Sequence, residues 1–213
     1  MAGKYIFKPM KGLTFWALLL IGLKLAGLAA YGSCEVIQAA TGVRANISDP
    51  QDALSLLTLL SALLYYLFAL LSGIVSLVWI YGATRNALAI RPGINVSPGW
   101  AVGWFFVPIA GLFKPYQYLA DVWRASGLPG AGREPPGWML GWWLSYIIGT
   151  ALTNIASRLE DGMAAAGDVA DIWLTIFGLG LLFIASALFF RLVRAIHTNQ
   201  QATYSGLNTA EVF

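Results

Sequence analysis

Apolar residues are gathered into four long stretches, residues 13–33, 53–81, 138–156 and 172–190, each holding no more than one charged side chain. A helix needs about 20 such residues to cross roughly 30 Å of hydrocarbon. Each stretch therefore predicts a membrane-spanning helix. The second runs 29 residues, about 43 Å at 1.5 Å per residue, so it must tilt or project from the bilayer.

A fifth apolar stretch, residues 99–119, has a different pattern. Pro108 and Pro115 remove backbone donors, Gly99, Gly103 and Gly111 loosen the chain, and Lys114 interrupts the hydropathy. Freed backbone groups in lipid need protein or water partners, so this stretch predicts a broken re-entrant or interfacial segment. From Tyr116 to Arg124 the period becomes that of an amphipathic helix. Tyr116, Leu119 and Trp123 share one face and Gln117, Asp121 and Arg124 another, which suits a helix lying along a membrane surface. Together, residues 99–126 predict an interfacial layer.

Composition agrees with this reading. The 213 residues are 58% hydrophobic and only 11% charged, and the mean hydropathy is +0.69. That excludes a disordered chain and a nucleic-acid module, and a single cysteine, Cys34, excludes a disulfide-built secreted domain. Topology follows from the basic residues. With four spans, Lys4, Lys8, Lys11, Arg85, Arg91, Lys114, Arg124, Arg133, Arg191 and Arg194 all fall on one side, and only Arg44 and Arg158 on the other. A fifth crossing at 99–119 would divide them almost evenly. The positive-inside rule selects four spans, with both termini and the tail 191–213 cytoplasmic. Most tryptophans, including Trp79, Trp100, Trp104, Trp123 and Trp138, fall on the same side. The apolar run after Lys11 is too long for a signal peptide and carries Lys24, so it reads as the first span. The expectation is an all-α integral membrane protein of four transmembrane helices, a single domain over 1–213, with the Pro-broken segment and the amphipathic helix on the cytoplasmic side. Cys34 is expected as an unpaired thiol near the outer surface.

The central block carries a resemblance. Trp79-Ile-Tyr-Gly-Ala-Thr-Arg85-Asn86, the run from Ser97-Pro-Gly-Trp through Val-Pro108-Ile-Ala to Lys-Pro115-Tyr-Gln117, Trp123-Arg-Ala-Ser126, Gly141-Trp-Trp143 and the closing Val193-Arg-Ala-Ile-His-Thr-Asn-Gln200 resemble the bacterial domain-of-unknown-function 4328 family over roughly residues 55–201. The run from Ser97 to Gln117 is its specific part. The resemblance implies a polytopic protein of a bacterial inner membrane and carries no activity with it. After the Pro-Ile-Ala run, where the family leads one to expect asparagine, this chain has Gly111.

Candidate chemistry is sparse. Lys24 lies near mid-bilayer, where a charge costs about 2.5–3.5 kcal/mol, and no apolar stretch holds an acid to pair with it. It reads either as an anion or proton-coupled site or as a side chain that snorkels or donates to hydroxyls on a neighbouring span such as Ser72, Ser76 or Tyr65. The interfacial candidates are Trp100, Trp104, Pro108, Lys114, Pro115, Trp123 and Arg124, with Arg85 and Arg194 as helix-end arginines. The acids of the outer loops lack the spacing of a calcium loop. His197, the only histidine, lacks the company of a metal or catalytic set, so neither metal, cofactor nor enzymatic activity is expected. Gly22, Ala26 and Ala30, and Gly137 with Gly141, are spaced for close helix packing.

Two functional classes lead. One is a non-enzymatic membrane protein whose cytoplasmic platform contacts lipid headgroups or a membrane or cytoplasmic protein, with self-association left open. The other is a small channel or transporter using Lys24 and the broken 99–119 segment. Nucleic acid is not an expected partner.

Overall fold

The computed structural model describes residues 5–127, 134–163 and 170–210, and every regular element among them is helical. The order is α1 (Lys11–Thr41), α2 (Ala53–Ile90), α3 (Pro98–Gly103), two 3-10 turns (Trp104–Phe106 and Ala110–Leu112), α4 (Lys114–Ala125), α5 (Gly137–Met163) and α6 (Ala170–Ala210). All four apolar stretches become helices, and all four helices overrun them. The 41 residues of α6 rise about 60 Å, twice the hydrocarbon thickness.

Three helices, α1, α2 and α6, are long and apolar enough to cross a membrane, so this is a membrane protein. The expected fourth, α5, has the length, at 27 residues, but not the apolarity. Trp138, Trp142, Trp143, Tyr146, Thr150, Thr153 and Asn154 replace aliphatic carbons with indole, phenol, hydroxyl and amide groups and dilute its hydropathy.

The chain packs as two compact units. The first, the span unit, comprises Leu20–Ser72 and Gly141–Leu188. Within it α1 meets α2 where Gly27 lies against the backbone of Tyr65: a Cβ on Gly27 would stand 3.0 Å from Tyr65 Cα. Similarly, α5 meets α6 through glycines, since a Cβ on Gly149 would be 2.9 Å from the carbonyl oxygen of Gly178. Leu28, Tyr65, Leu179 and Leu182 form the buried cluster, with Tyr31 and Ala69 packed on it. The buried face of α2 is rich in hydroxyls, which return their hydrogens to their own helix: Thr58 Oγ1 to the Leu54 carbonyl, Ser61 Oγ to that of Thr58 and Ser72 Oγ to that of Ala69. Such local bonds satisfy polar groups without water. Leucines such as Leu57, Leu63 and Leu70 point outward, as lipid-facing side chains do.

The structure refines two sequence expectations. Of the glycines whose spacing suggested close packing, a Cβ on Gly141 would meet Leu188 Cδ1 at 3.8 Å, whereas one on Gly22 or Gly137 would meet nothing within 4 Å. Cys34 is a free thiol, as expected, but a buried one, with Sγ 3.8 Å from Ser61 Oγ, because α1 continues to Thr41 and keeps that position on its inner face.

The second unit comprises Met1–Leu19, Gly73–Leu140 and Phe189–Phe213. Its described cations are Lys8, Lys11, Arg85, Arg91, Lys114, Arg124, Arg191 and Arg194, against the carboxylates Asp121 and Glu134; we call it the basic unit. Residues 5–10 form a strap without regular secondary structure. Asn86 holds it by both amide atoms, accepting from Lys8 N and donating to the Lys8 carbonyl, each at 2.9 Å. Phe7 stacks on Tyr204, and the Met10 sulfur occupies the space left by Gly82. Residues 191–210, expected as a tail, instead continue α6, and Leu192, Val193, Ile196, Gln200 and Thr203 are buried.

Candidate functional site

The basic unit is assembled by polar contacts between segments distant in sequence. Trp79 Nε1 donates to Thr14 Oγ1 at 3.0 Å, and that hydroxyl lies 3.2 Å from His197 Nδ1, tying α2, α1 and α6 together. Gln200, 1% exposed, donates from Nε2 to the Ala83 carbonyl at 2.8 Å and to Ser126 Oγ at 3.1 Å. Thr203 Oγ1 donates to the Ser126 carbonyl at 3.0 Å. α2, α6 and the end of α4 are thus pinned around one buried amide, and bonds of this kind favour a single arrangement because a broken one leaves a buried group unpaired. Asn86, Ser126 and Gln200 entered the sequence reading only as part of the family resemblance, without a structural role, and Thr14 and Thr203 did not enter it. Small polar residues on helices signal a long-range partner only once the fold supplies it.

The broken segment is where the prolines place it. Pro98 opens α3, and the helix gives way to 3-10 turns around Pro108 before Pro115 starts α4. Gly111 fits a tight reversal: its N–H donates to the Val107 carbonyl at 2.6 Å, and a Cβ there would come within 3.1 Å of the Trp104 carbonyl. The turn brings Trp100, Trp104 and Lys114 together. The two indoles stack with centroids 4.5 Å apart, and Lys114 Nζ lies 5.9 Å from the Trp104 ring centre, a cation–π distance.

α4 is amphipathic as expected, but protein takes its apolar face. Pro115, Leu119, Ala120, Val122 and Trp123 are buried, and Trp123 meets Trp138 edge-on at 5.7 Å. Trp123 is therefore a core residue of the unit. On the outer face Arg124 is neutralised by Asp121 at 2.9 Å and Glu134 at 3.3 Å. Protein therefore occupies the face of the helix that was expected to lie on a membrane.

The remaining candidates are dispersed. Arg85 sits over the Tyr5 ring at 6.0 Å and Arg191 over Trp138 at 4.7 Å, while Arg194 is exposed. Among the described cations of the basic unit only Arg124 is ion-paired. Lys24 belongs to the span unit, on the inward stripe of α1 with Ala17, Ile21 and Leu28, and no described hydrogen bond or carboxylate meets its ammonium. A groove of about 490 Å³ in the same unit is lined by Leu28, Ala29, Gly32, Ser33, Val36 and Ile37 of α1 and by Ile176, Leu179, Gly180 and Phe183 of α6; Lys24 is not on its wall. At the far end of the unit Arg44 makes a bidentate pair with Asp171, both contacts at 2.8 Å. Among the described residues no three His, Cys, Asp or Glu side chains gather as a metal site would require.

In comparison with known proteins, residues 41–198 match the model of a family described as a domain of unknown function (DUF4328). No curated protein and no solved structure matches the chain.

Proposed function

We propose that the chain, which belongs to the domain-of-unknown-function 4328 family, is a four-span, non-enzymatic protein of the cell membrane whose basic unit lies on the cytoplasmic side as a platform for anionic lipid headgroups. The observation that carries this reading is charge. Seven described cations of the basic unit (Lys8, Lys11, Arg85, Arg91, Lys114, Arg191 and Arg194) have no carboxylate partner, whereas Glu35, Asp49, Asp52 and Asp171 all belong to the span unit. Unpaired basic residues beside a bilayer are drawn to anionic lipid, about 1 kcal/mol each.

The division of the helices supports a fourth span. Each of α1, α2, α5 and α6 has one end in each unit. If α5 did not cross, the basic end of α6 would fall on the opposite side from that of α1, against the positive-inside rule. Its Trp142 and Trp143 are buried and turned from lipid, so their low hydropathy is compatible with a crossing. Residues 99–126 then lie at the cytoplasmic interface. Unfolding temperature in nanodiscs tests the reading. It should rise as phosphatidylglycerol replaces phosphatidylcholine, since a ligand bound only by the folded state stabilises it in proportion to its supply; no dependence would contradict it.

A further inference from the structure

The turn between α3 and α4 exposes four large apolar side chains of the basic unit. Phe106 and Ile109 are 71% and 76% exposed, and Leu112 and Phe113 stand out beside them. In water, large aliphatic and aromatic side chains so presented mark a contact surface. The alternative membrane-facing element, α4, has already spent its apolar face on the protein core. We infer that residues 104–113 form a wedge that enters the acyl-chain layer of the cytoplasmic leaflet, while Lys114 at its root takes a lipid phosphate. This rests on the platform reading and adds the depth of the contact and the part of the lipid that fills it.

Three observations favour acyl chains as the occupant. The first is charge and composition: Trp100, Trp104 and Lys114 form one cluster directly behind the apolar tip, the order in which interfacial indoles and a basic residue flank a membrane-inserted segment. Reach is the second. α2 overruns its apolar stretch by residues 82–90, about 13 Å, and residues 91–97 can span about 25 Å when extended, enough to return the tip to the bilayer. The third is the backbone, which must bond to itself where water is absent. Much of the turn does so: Val107 N donates to the Trp104 carbonyl, Gly111 N to Val107, Leu112 N to Ile109 and Phe113 N to Ala110. Pro108 has no N–H to satisfy, which leaves, of residues 107–113, the N–H groups of Ile109 and Ala110 as the ones without a described bond.

Spin labels on single cysteines at Ile109 and Gln117, placed in a Cys34→Ser background and reconstituted in nanodiscs, read the depth directly. Both positions are exposed, so neither substitution removes a core contact. The label at 109 should be relaxed by oxygen and hardly at all by a water-soluble nickel chelate, and the label at 117 by the chelate. Chelate access at both sites would overturn the wedge. If unfolding temperature still rises with phosphatidylglycerol, the platform reading survives that result; if it does not, both fall. Shielding of position 109 from both reagents would also overturn the wedge, in favour of a protein seated on the tip.

Discussion

The indole N–H of Trp79 donates to the hydroxyl of Thr14, 65 residues away in the chain, at 3.0 Å, and both side chains are buried. Because the hydroxyl is also within 3.2 Å of His197 Nδ1, one threonine joins three helices. Thr14→Val keeps the shape and leaves the indole donor unpaired. It should cost about 1–3 kcal/mol, seen as a lower unfolding temperature. Adding Trp79→Phe, which removes the orphaned donor, should cost less than the sum of the two single changes. Additive losses would show that the bond has no energetic weight.

Glycine contacts hold the span unit together. A Cβ on Gly149 would reach within 2.9 Å of a backbone oxygen and one on Gly178 within 2.7 Å of Thr153 Cγ2. Gly149→Val should therefore destabilise by about 1–3 kcal/mol, as overpacking does. Gly22→Ala, where nothing lies within 4 Å, should be neutral or gain a little helix propensity. Thermal unfolding of the two variants beside the parent protein makes the comparison, and equal behaviour would refute the glycine contact.

These glycines also show where sequence stops being informative. Hydropathy located the helices, the two prolines located the break before α4, and the period of Tyr116, Leu119 and Trp123 located a buried face, because each is a local property. Gly27, Gly149 and Gly178 look no different from Gly22 and Gly137 until partner helices are in place. The same holds for Gln200 and Ser126, whose bond spans 74 residues. The amphipathicity of α4 was legible, but whether lipid or protein covers its apolar side depends on α2, α5 and α6. Length misled in one respect: the stretch 172–190 ends at the first charge, Arg191, whereas α6 continues to Ala210 because its buried stripe continues through Ile196, Gln200 and Thr203.

Asp52 sits just before α2 and caps it. Its carboxylate accepts from Ser55 N at 2.9 Å and from Ser55 Oγ at 2.7 Å, and these bonds, the backbone one first, hold its pKa below the ordinary 3.8. A carboxylate depressed in the folded state contributes stability above its unfolded pKa and loses it as pH falls through the folded value. The start of α2 should therefore fray in acid, below pH 3.8, in amide hydrogen exchange of residues 54–56. Asp52→Asn, which retains an N-cap acceptor, should remove that pH dependence; its persistence would assign the effect elsewhere.

Lys24 has no described partner to lose. Lys24→Leu removes a charge whose insertion costs about 2.5–3.5 kcal/mol, so the variant should be at least as stable as the parent in thermal unfolding. A screen of anions on both proteins completes the test. Anion-dependent stabilisation present in the parent and absent in the variant would restore Lys24 as a binding site and, with it, the transport reading.

Anionic lipid retained by the purified protein, counted by native mass spectrometry, tests the platform most directly. Lys11, Lys114 and Arg194 have no carboxylate partner among the described residues, so replacing all three with glutamine breaks no ion pair. The triple variant should lose about 3 kcal/mol of headgroup attraction, on the order of a hundredfold in affinity, and shed its phosphatidylglycerol while its unfolding temperature in neutral lipid stays unchanged. Retention of phosphatidylglycerol equal to that of the parent protein would contradict the account.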